Sequence, residues 1–211
     1  MRACADLKVT GRENVPSMGP LIIVANHLST LDPPLLGVSL PRRIRFLAKD
    51  TLFNGPPIVR WFLSSYGAFP VNRKGADVRA YRWALNMLAH DGALVVFPEG
   101  TRSRNAQMQK AKPGVVGLVQ RTKAPILPVA ITGTEHMGTW LRVVNPTGRI
   151  RVRIGELFSL PDIEGRPNRE VMESLNTMIM HRVAELLPEE SRGASTTPGT
   201  GRTAGRYVAA G

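Results

Sequence analysis

Leu21-Ile22-Ile23-Val24-Ala25-Asn26-His27-Leu28-Ser29-Thr30-Leu31-Asp32-Pro33-Pro34 passes from an unbroken apolar run, through a polar loop, to a helix start. The run is short, rich in β-branched residues and free of polar interruption, which predicts a strand buried on both faces. Strands of that kind belong to parallel sheets covered by helices. Asp32 is expected at the N-cap of the following helix, with Pro33 and Pro34 in its first turn, where backbone N–H groups lack intrahelical partners anyway. The histidine therefore stands between a buried strand and a helix.

The same alternation continues on the C-terminal side. Strands are expected at Arg43 to Ala48, Gly67 to Val71, Ala93 to Phe97, Ile126 to Thr132 and Ile150 to Ile154, the last as an edge strand with its arginines turned outward. Helices are expected through about Val38, over Asp77 to His90 with a stop at Asp91-Gly92, over Val115 to Val119, and over Arg169 to Leu187 with Val171, Leu175, Met178, Ile179, Val183 and Leu186 on its apolar side. Pro56 to Leu63 reads as a compact amphipathic stretch. Its apolar stripe is expected to face the core, with a membrane interface as the alternative. The fold class implied is α/β, a single layered domain with a mostly parallel mixed sheet flanked by helices, and its functional groups belong beyond the strand ends. Residues 1–188 are expected to form this domain. Residues 189–211 shift to Ser, Thr, Gly and Arg and are expected to be a disordered tail.

At 211 residues and 43% hydrophobic content the chain suffices for one sizeable core. Its formal charge of +12 implies an anionic partner, and the tail accounts for only +1 of it. The lone Cys4 has no partner for a disulfide, so the cytosolic side of a membrane is the expected compartment. No apolar run approaches the roughly 20 residues that span a bilayer. Nucleic acid is disfavoured, since no recognition motif is present and aromatic residues make up 6% of the chain.

The four histidines, at 27, 90, 136 and 181, have no neighbours at metal-ligand spacing, and no metal site is expected. His27 differs from the others in having Asp32 five residues on. A neutral imidazole takes a proton from a hydroxyl at neutral pH when a carboxylate fixes its tautomer. Taken alone, the pair is equally compatible with a loop histidine beside a helix cap. Ser29 lacks the Gly-x-Ser-x-Gly setting of a nucleophile and is left outside the catalytic set. A second cluster, Phe97-Pro98-Glu99-Gly100-Thr101-Arg102-Ser103-Arg104, follows another buried strand and suits an anion, with Glu99 expected to orient a guanidinium. Asn72-Arg73-Lys74-Gly75 forms a third. In a parallel sheet all three would open on one rim.

Four ordered blocks resemble those of the glycerolipid acyltransferases typified by 1-acyl-glycerol-3-phosphate acyltransferase: Asn26 to Asp32, Gly67 to Arg73, Phe97 to Ser103 and Ala124-Pro125-Ile126-Leu127-Pro128-Val129. The resemblance implies that His27 is a general base oriented by Asp32. It implies that Arg73, Glu99, Gly100, Thr101 and Arg102 hold the acceptor's phosphate. It further implies an acyl-CoA or acyl-carrier-protein thioester as co-substrate, no other cofactor, and a lysophospholipid acceptor, with lysophosphatidate the leading choice and other lysophospholipids or lipid alcohols open. Lys112 would bind phosphate, polarise the thioester carbonyl, or serve only as surface charge. A basic membrane-binding protein without activity is the other reading of the same fold.

The pattern departs from the family at Pro70, where an aliphatic residue is usual. It departs again ahead of the His block, where many members carry an apolar segment and about twenty-five residues without one stand here. Attachment is therefore expected to be peripheral, through basic groups worth about 1 kcal/mol each at an anionic surface, helped by Trp61 and Phe62.

Overall fold

The computed structural model describes residues 5–72, 75, 77–103, 107–109, 111, 114–135, 137, 148–163, 165 and 167–192. Its strands are β1 (Asp6–Thr10), β2 (Leu21–Ala25), β3 (Ile44–Lys49), β4 (Ala68–Val71), β5 (Ala93–Val96), β6 (Ile126–Thr132) and β7 (Arg149–Ile154). Its helices are α1 (Asp32–Ser39), α2 (Pro57–Ser65), α3 (Val78–Ala89), α4 (Gly114–Thr122) and α5 (Arg169–Ala184). The strands form one sheet in the order β1-β7-β6-β2-β5-β3-β4. Strands β2 to β6 run parallel, while β7 is antiparallel to β6 and carries β1 parallel to itself. The α/β layered fold with a mostly parallel mixed sheet is thus as the alternation predicted.

Strand β2 sits near the middle, between β5 and β6, and all five of its residues are buried. Leu21, Ile23 and Ala25 face the layer that includes Leu35, Leu36 and Tyr66, from α1 and the end of α2. Ile22 and Val24 face Ala84, Val116 and Ile179 of α3, α4 and α5. A strand buried on both faces has no polar positions to alternate, hence the continuous apolar run.

Three placements differ from the sequence reading. β7 is interior, because Asp6–Thr10 adds an outer strand in register from Asp6↔Arg149 to Thr10↔Arg153. That strand is mostly exposed and has only two large apolar residues, Leu7 and Val9, so hydrophobicity gave it no signal. Secondly, α2 buries only Leu63. It packs on β4, the outermost strand at that edge of the sheet, and there is little surface beneath it to cover an apolar stripe. Phe62 turns inward against Tyr66, ring centroids 4.7 Å apart, while Trp61 stays 65% exposed. Thirdly, α5 buries Leu175, Ile179, Met180, Val183 and Ala184, and Met178 points outward.

The chain stays folded past Pro188. Glu189–Ser191 makes a 3-10 turn, the Met108 N–H donates to the Ser191 carbonyl, and Arg192 Nε donates to the Leu187 carbonyl. Residues 193–211 lie outside the described residues, as does Cys4.

Candidate active site

Because β2 and β5 are parallel neighbours, their C-terminal ends deliver His27 and Phe97 side by side. The rings stack with centroids 4.3 Å apart. His27 Nδ1 lies 2.9 Å from Asp32 Oδ2, and the side chain of His27 is 13% exposed while that of Asp32 is fully buried. A carboxylate only accepts, so in the neutral ring Nδ1 carries the proton and Nε2 the lone pair. Among the described residues Nε2 has no hydrogen-bond partner.

Asp32 does more than orient the ring, and it does not cap α1. The N-cap is Leu31, with no side-chain cap bond. The Asp32 carboxylate reaches back into the loop instead: Oδ2 accepts the backbone N–H groups of Leu28 and Ser29, each at 2.7 Å, and Oδ1 accepts the Thr134 hydroxyl at 2.8 Å. Four donors thus converge on one buried anion, which satisfies it where water does not reach. Thr134 arrives from the far side of β6 through Gly133, whose φ is +88° and where a Cβ would stand 1.9 Å from the Arg149 carbonyl oxygen. Only glycine makes that turn without displacing β7. Ser29 is buried, donating its hydroxyl to the Met137 carbonyl while accepting the Leu31 N–H, and so has no free hydroxyl to act as a nucleophile.

The peptide groups around His27 are also fixed. Asn26 pairs with Ile131 through both ends of its amide, donating to the carbonyl at 2.9 Å and accepting the N–H at 2.8 Å, and so prolongs the β2–β6 ladder by a side chain. The His27 N–H donates to Glu99 Oε1 at 3.1 Å, and the His27 carbonyl accepts the Ser103 N–H at 2.8 Å. Glu99 Oε2 accepts the Gln109 N–H at 3.0 Å.

Among the described residues Glu99 makes no contact with a guanidinium, the role its arginine-rich surroundings in sequence suggested. It is buried, and its two oxygens hold backbone. Burial lifts its carboxyl from 4.5 to about 7, against the lowering effect of the Gln109 and His27 N–H groups, and the nearby Asp32 charge adds to the rise. With the folded value above the unfolded one, the stabilising contribution is full below pH 4.5 and is lost as pH rises through 7. The difference amounts to about 3 kcal/mol. Glu99→Gln removes this titration. The stability gap between wild type and the variant, read from urea midpoints, is expected to be largest near pH 5 and to narrow by up to about 3 kcal/mol by pH 8. A gap constant across that range would contradict the assignment.

Of the other expected anion-binding residues, Gly100 takes φ +70°, and Thr101 and Arg102 are exposed on the rim. Arg102 Nη1 donates to the Thr30 hydroxyl at 2.9 Å, which sets its guanidinium beside the His27 loop. Arg73, Lys74, Arg104 and Lys112 lie outside the described residues. Strand β4, which leads to Arg73, is three strands from β2, about 14 Å at ordinary spacing. Its following loop is closed by Asp77, which accepts the N–H groups of Asn72 and Ala80. The Asn72 bond first, then that of Ala80, hold its carboxyl below the ordinary value. Among the described residues no group of three His, Cys, Asp or Glu side chains is placed to hold a metal.

A histidine hydrogen-bonded to a buried carboxylate, with a guanidinium nearby, thus stands beyond the ends of parallel strands. Residues 6–132 match the acyltransferase family, and the chain belongs to it. It is 28% identical over 184 residues to the 1-acyl-sn-glycerol-3-phosphate acyltransferase of Bacillus subtilis, covering 85% of this chain and 87% of that protein. It is 31% identical over 186 residues to the enzyme of the same name from Saccharomyces cerevisiae, covering 86% of this chain and 61% of the yeast protein's length. The crystal structure of the 1-acyl-sn-glycerophosphate acyltransferase from Thermotoga maritima superposes with a TM-score of 0.67 at 28% identity, covering 86% of this chain and 71% of that one.

Proposed function

We propose that this acyltransferase moves a fatty acyl group from a CoA or acyl-carrier-protein thioester to the free hydroxyl of lysophosphatidate, with His27 as general base. The observation that carries the reading is the 2.9 Å contact of His27 Nδ1 with Asp32, which leaves Nε2 without a partner among the described residues. The acceptor hydroxyl gives its proton to Nε2 as its oxygen attacks the thioester carbon. Asp32 stabilises the imidazolium that forms. The tetrahedral intermediate then expels the thiolate by breaking the C–S bond, and the imidazolium returns the proton to sulfur. No acyl-enzyme is needed, in keeping with the burial of Ser29. Arg102 holds the acceptor's phosphate beside the base, with Arg73, Thr101, Gly100 and Lys112 as further anion-binding groups. The names of the Bacillus and yeast relatives support lysophosphatidate over other acceptors.

The reaction takes place at an anionic membrane surface on its cytoplasmic side, to which the protein attaches peripherally. The +12 charge supports this, and no helix among the described residues is long and apolar enough to cross a membrane. The test is release of free CoA from an acyl-CoA in the presence of a panel of lysolipids and lipid alcohols. Lysophosphatidate is expected to give the highest kcat/KM. Equal rates with acceptors lacking a phosphate would remove the role given to Arg102, and no release with any acceptor would overturn the reading.

A further inference from the structure

The exposed side of α2 is apolar where it has nothing to cover. Ile58 and Trp61 are 67% and 65% exposed, and Leu52, in the 3-10 turn Asp50–Asn54 just before the helix, is 42% exposed. Ile58 and Trp61 stand three residues apart and so share one helix face. Val59 and Leu63 turn the opposite way, toward the sheet. Exposed Lys49 and Arg60 flank the apolar residues.

The location of this face matters as much as its composition. β3 runs parallel to β5, which in turn runs parallel to β2, so the end of β3 at Lys49 opens on the same edge of the sheet as His27. The 3-10 turn and the first residues of α2 therefore stand on the rim of the active site. An indole, a branched aliphatic side chain and flanking cations are the composition of an interfacial anchor.

We propose that this face of α2, with the turn that precedes it, docks the protein on an anionic lipid bilayer, holding the rim that bears His27 against the surface from which a lipid acceptor enters. The inference rests on the acyl-acceptor reading given above. Two facts favour a bilayer over a second copy of the chain. Three apolar side chains on one short helix and its lead-in turn fall well below the roughly 1,200 Å² that a stable protein interface buries. The net charge of +12 also opposes self-association while attracting an anionic surface.

The test compares the full-length wild type with an Ile58→Ser/Trp61→Ser double variant, using Met178→Ser, an exposed apolar residue on α5, as control. Sedimentation with phosphatidylglycerol–phosphatidylcholine vesicles is paired with turnover on two acceptors, long-chain lysophosphatidate held in those vesicles and a short-chain lysophosphatidate dissolved as monomer. The double variant is expected to lose vesicle affinity by at least about tenfold and vesicle-embedded turnover in the same proportion, while turnover of the soluble acceptor stays within about twofold of wild type. The control should keep both. Unchanged vesicle binding in the double variant overturns the proposal, as does equal loss on both acceptors, which would place α2 in service of the site itself. A wild-type dimer that the double variant dissociates would instead assign the face to a second copy. A wild type inactive on both acceptors defeats the acyl-acceptor reading, while sedimentation still decides the docking.

Discussion

His27→Ala is expected to lower turnover of acyl-CoA with lysophosphatidate by a factor on the order of 10² to 10⁴, the range spanned by loss of a positioned general base. Binding should change far less, because the guanidinium of Arg102 is held through Thr30 and not through the imidazole. KM for the acceptor is therefore expected to stay within a few fold of wild type, so that the loss falls on kcat, as it does when an interaction is made only in the transition state. The fold should survive, since the substitution removes a ring stacked on Phe97 but leaves both backbone hydrogen bonds, to the Glu99 carboxylate and from the Ser103 N–H, in place. Wild-type turnover in a folded His27→Ala protein would end the general-base assignment.

Asp32 separates into two roles that two variants distinguish. In Asp32→Asn the amide oxygen still accepts from Leu28 and Ser29, and the Thr134 hydroxyl turns to accept from the new NH₂. Stability should fall only modestly, while the imidazolium loses its counter-charge and kcat drops on the order of 10² to 10⁴. In Asp32→Ala two buried backbone N–H groups, one hydroxyl and the His27 Nδ1–H lose their acceptor together. At about 1 to 3 kcal/mol for each unsatisfied group, the loss is several kcal/mol and threatens folding itself. Urea midpoints beside turnover read the two effects. An Asp32→Asn protein of full activity would show that the charge is dispensable, and an Asp32→Ala protein of wild-type stability would contradict the convergent hydrogen bonds.

What could be read in the chain depended on distance along it. β2, the His27–Asp32 pair and the stop of α3 at Asp91, whose φ is +56°, are local patterns, and they were legible. The contacts that build the site are not local. Thr134 reaches Asp32 across 102 residues, Asn26 reaches Ile131 across 105, and the His27 N–H meets Glu99 across 72. A glutamate among arginines suggests an ion pair, and nothing local announces that Glu99 also accepts the backbone N–H groups of His27 and Gln109. Apolar periodicity likewise suggested a core position for α2. Periodicity marks which side of a helix is apolar, but not whether a neighbouring element covers it. Only the strand order, with β4 at the edge, settles that.

The outer pair of strands has a consequence for how the chain comes off the ribosome. In the sheet β1 pairs with β7, residue 6 opposite residue 149, and β7 in turn rests on β6. Of the described strands β1 is thus made long before its partner, and closing so large a loop is expected to be slow compared with forming the adjacent parallel strands. Its composition suits the delay, with Asp6, Lys8 and Thr10 alternating with Leu7 and Val9, so the segment carries little that would aggregate before Arg151 arrives to grip the Asp6 carbonyl and carboxylate.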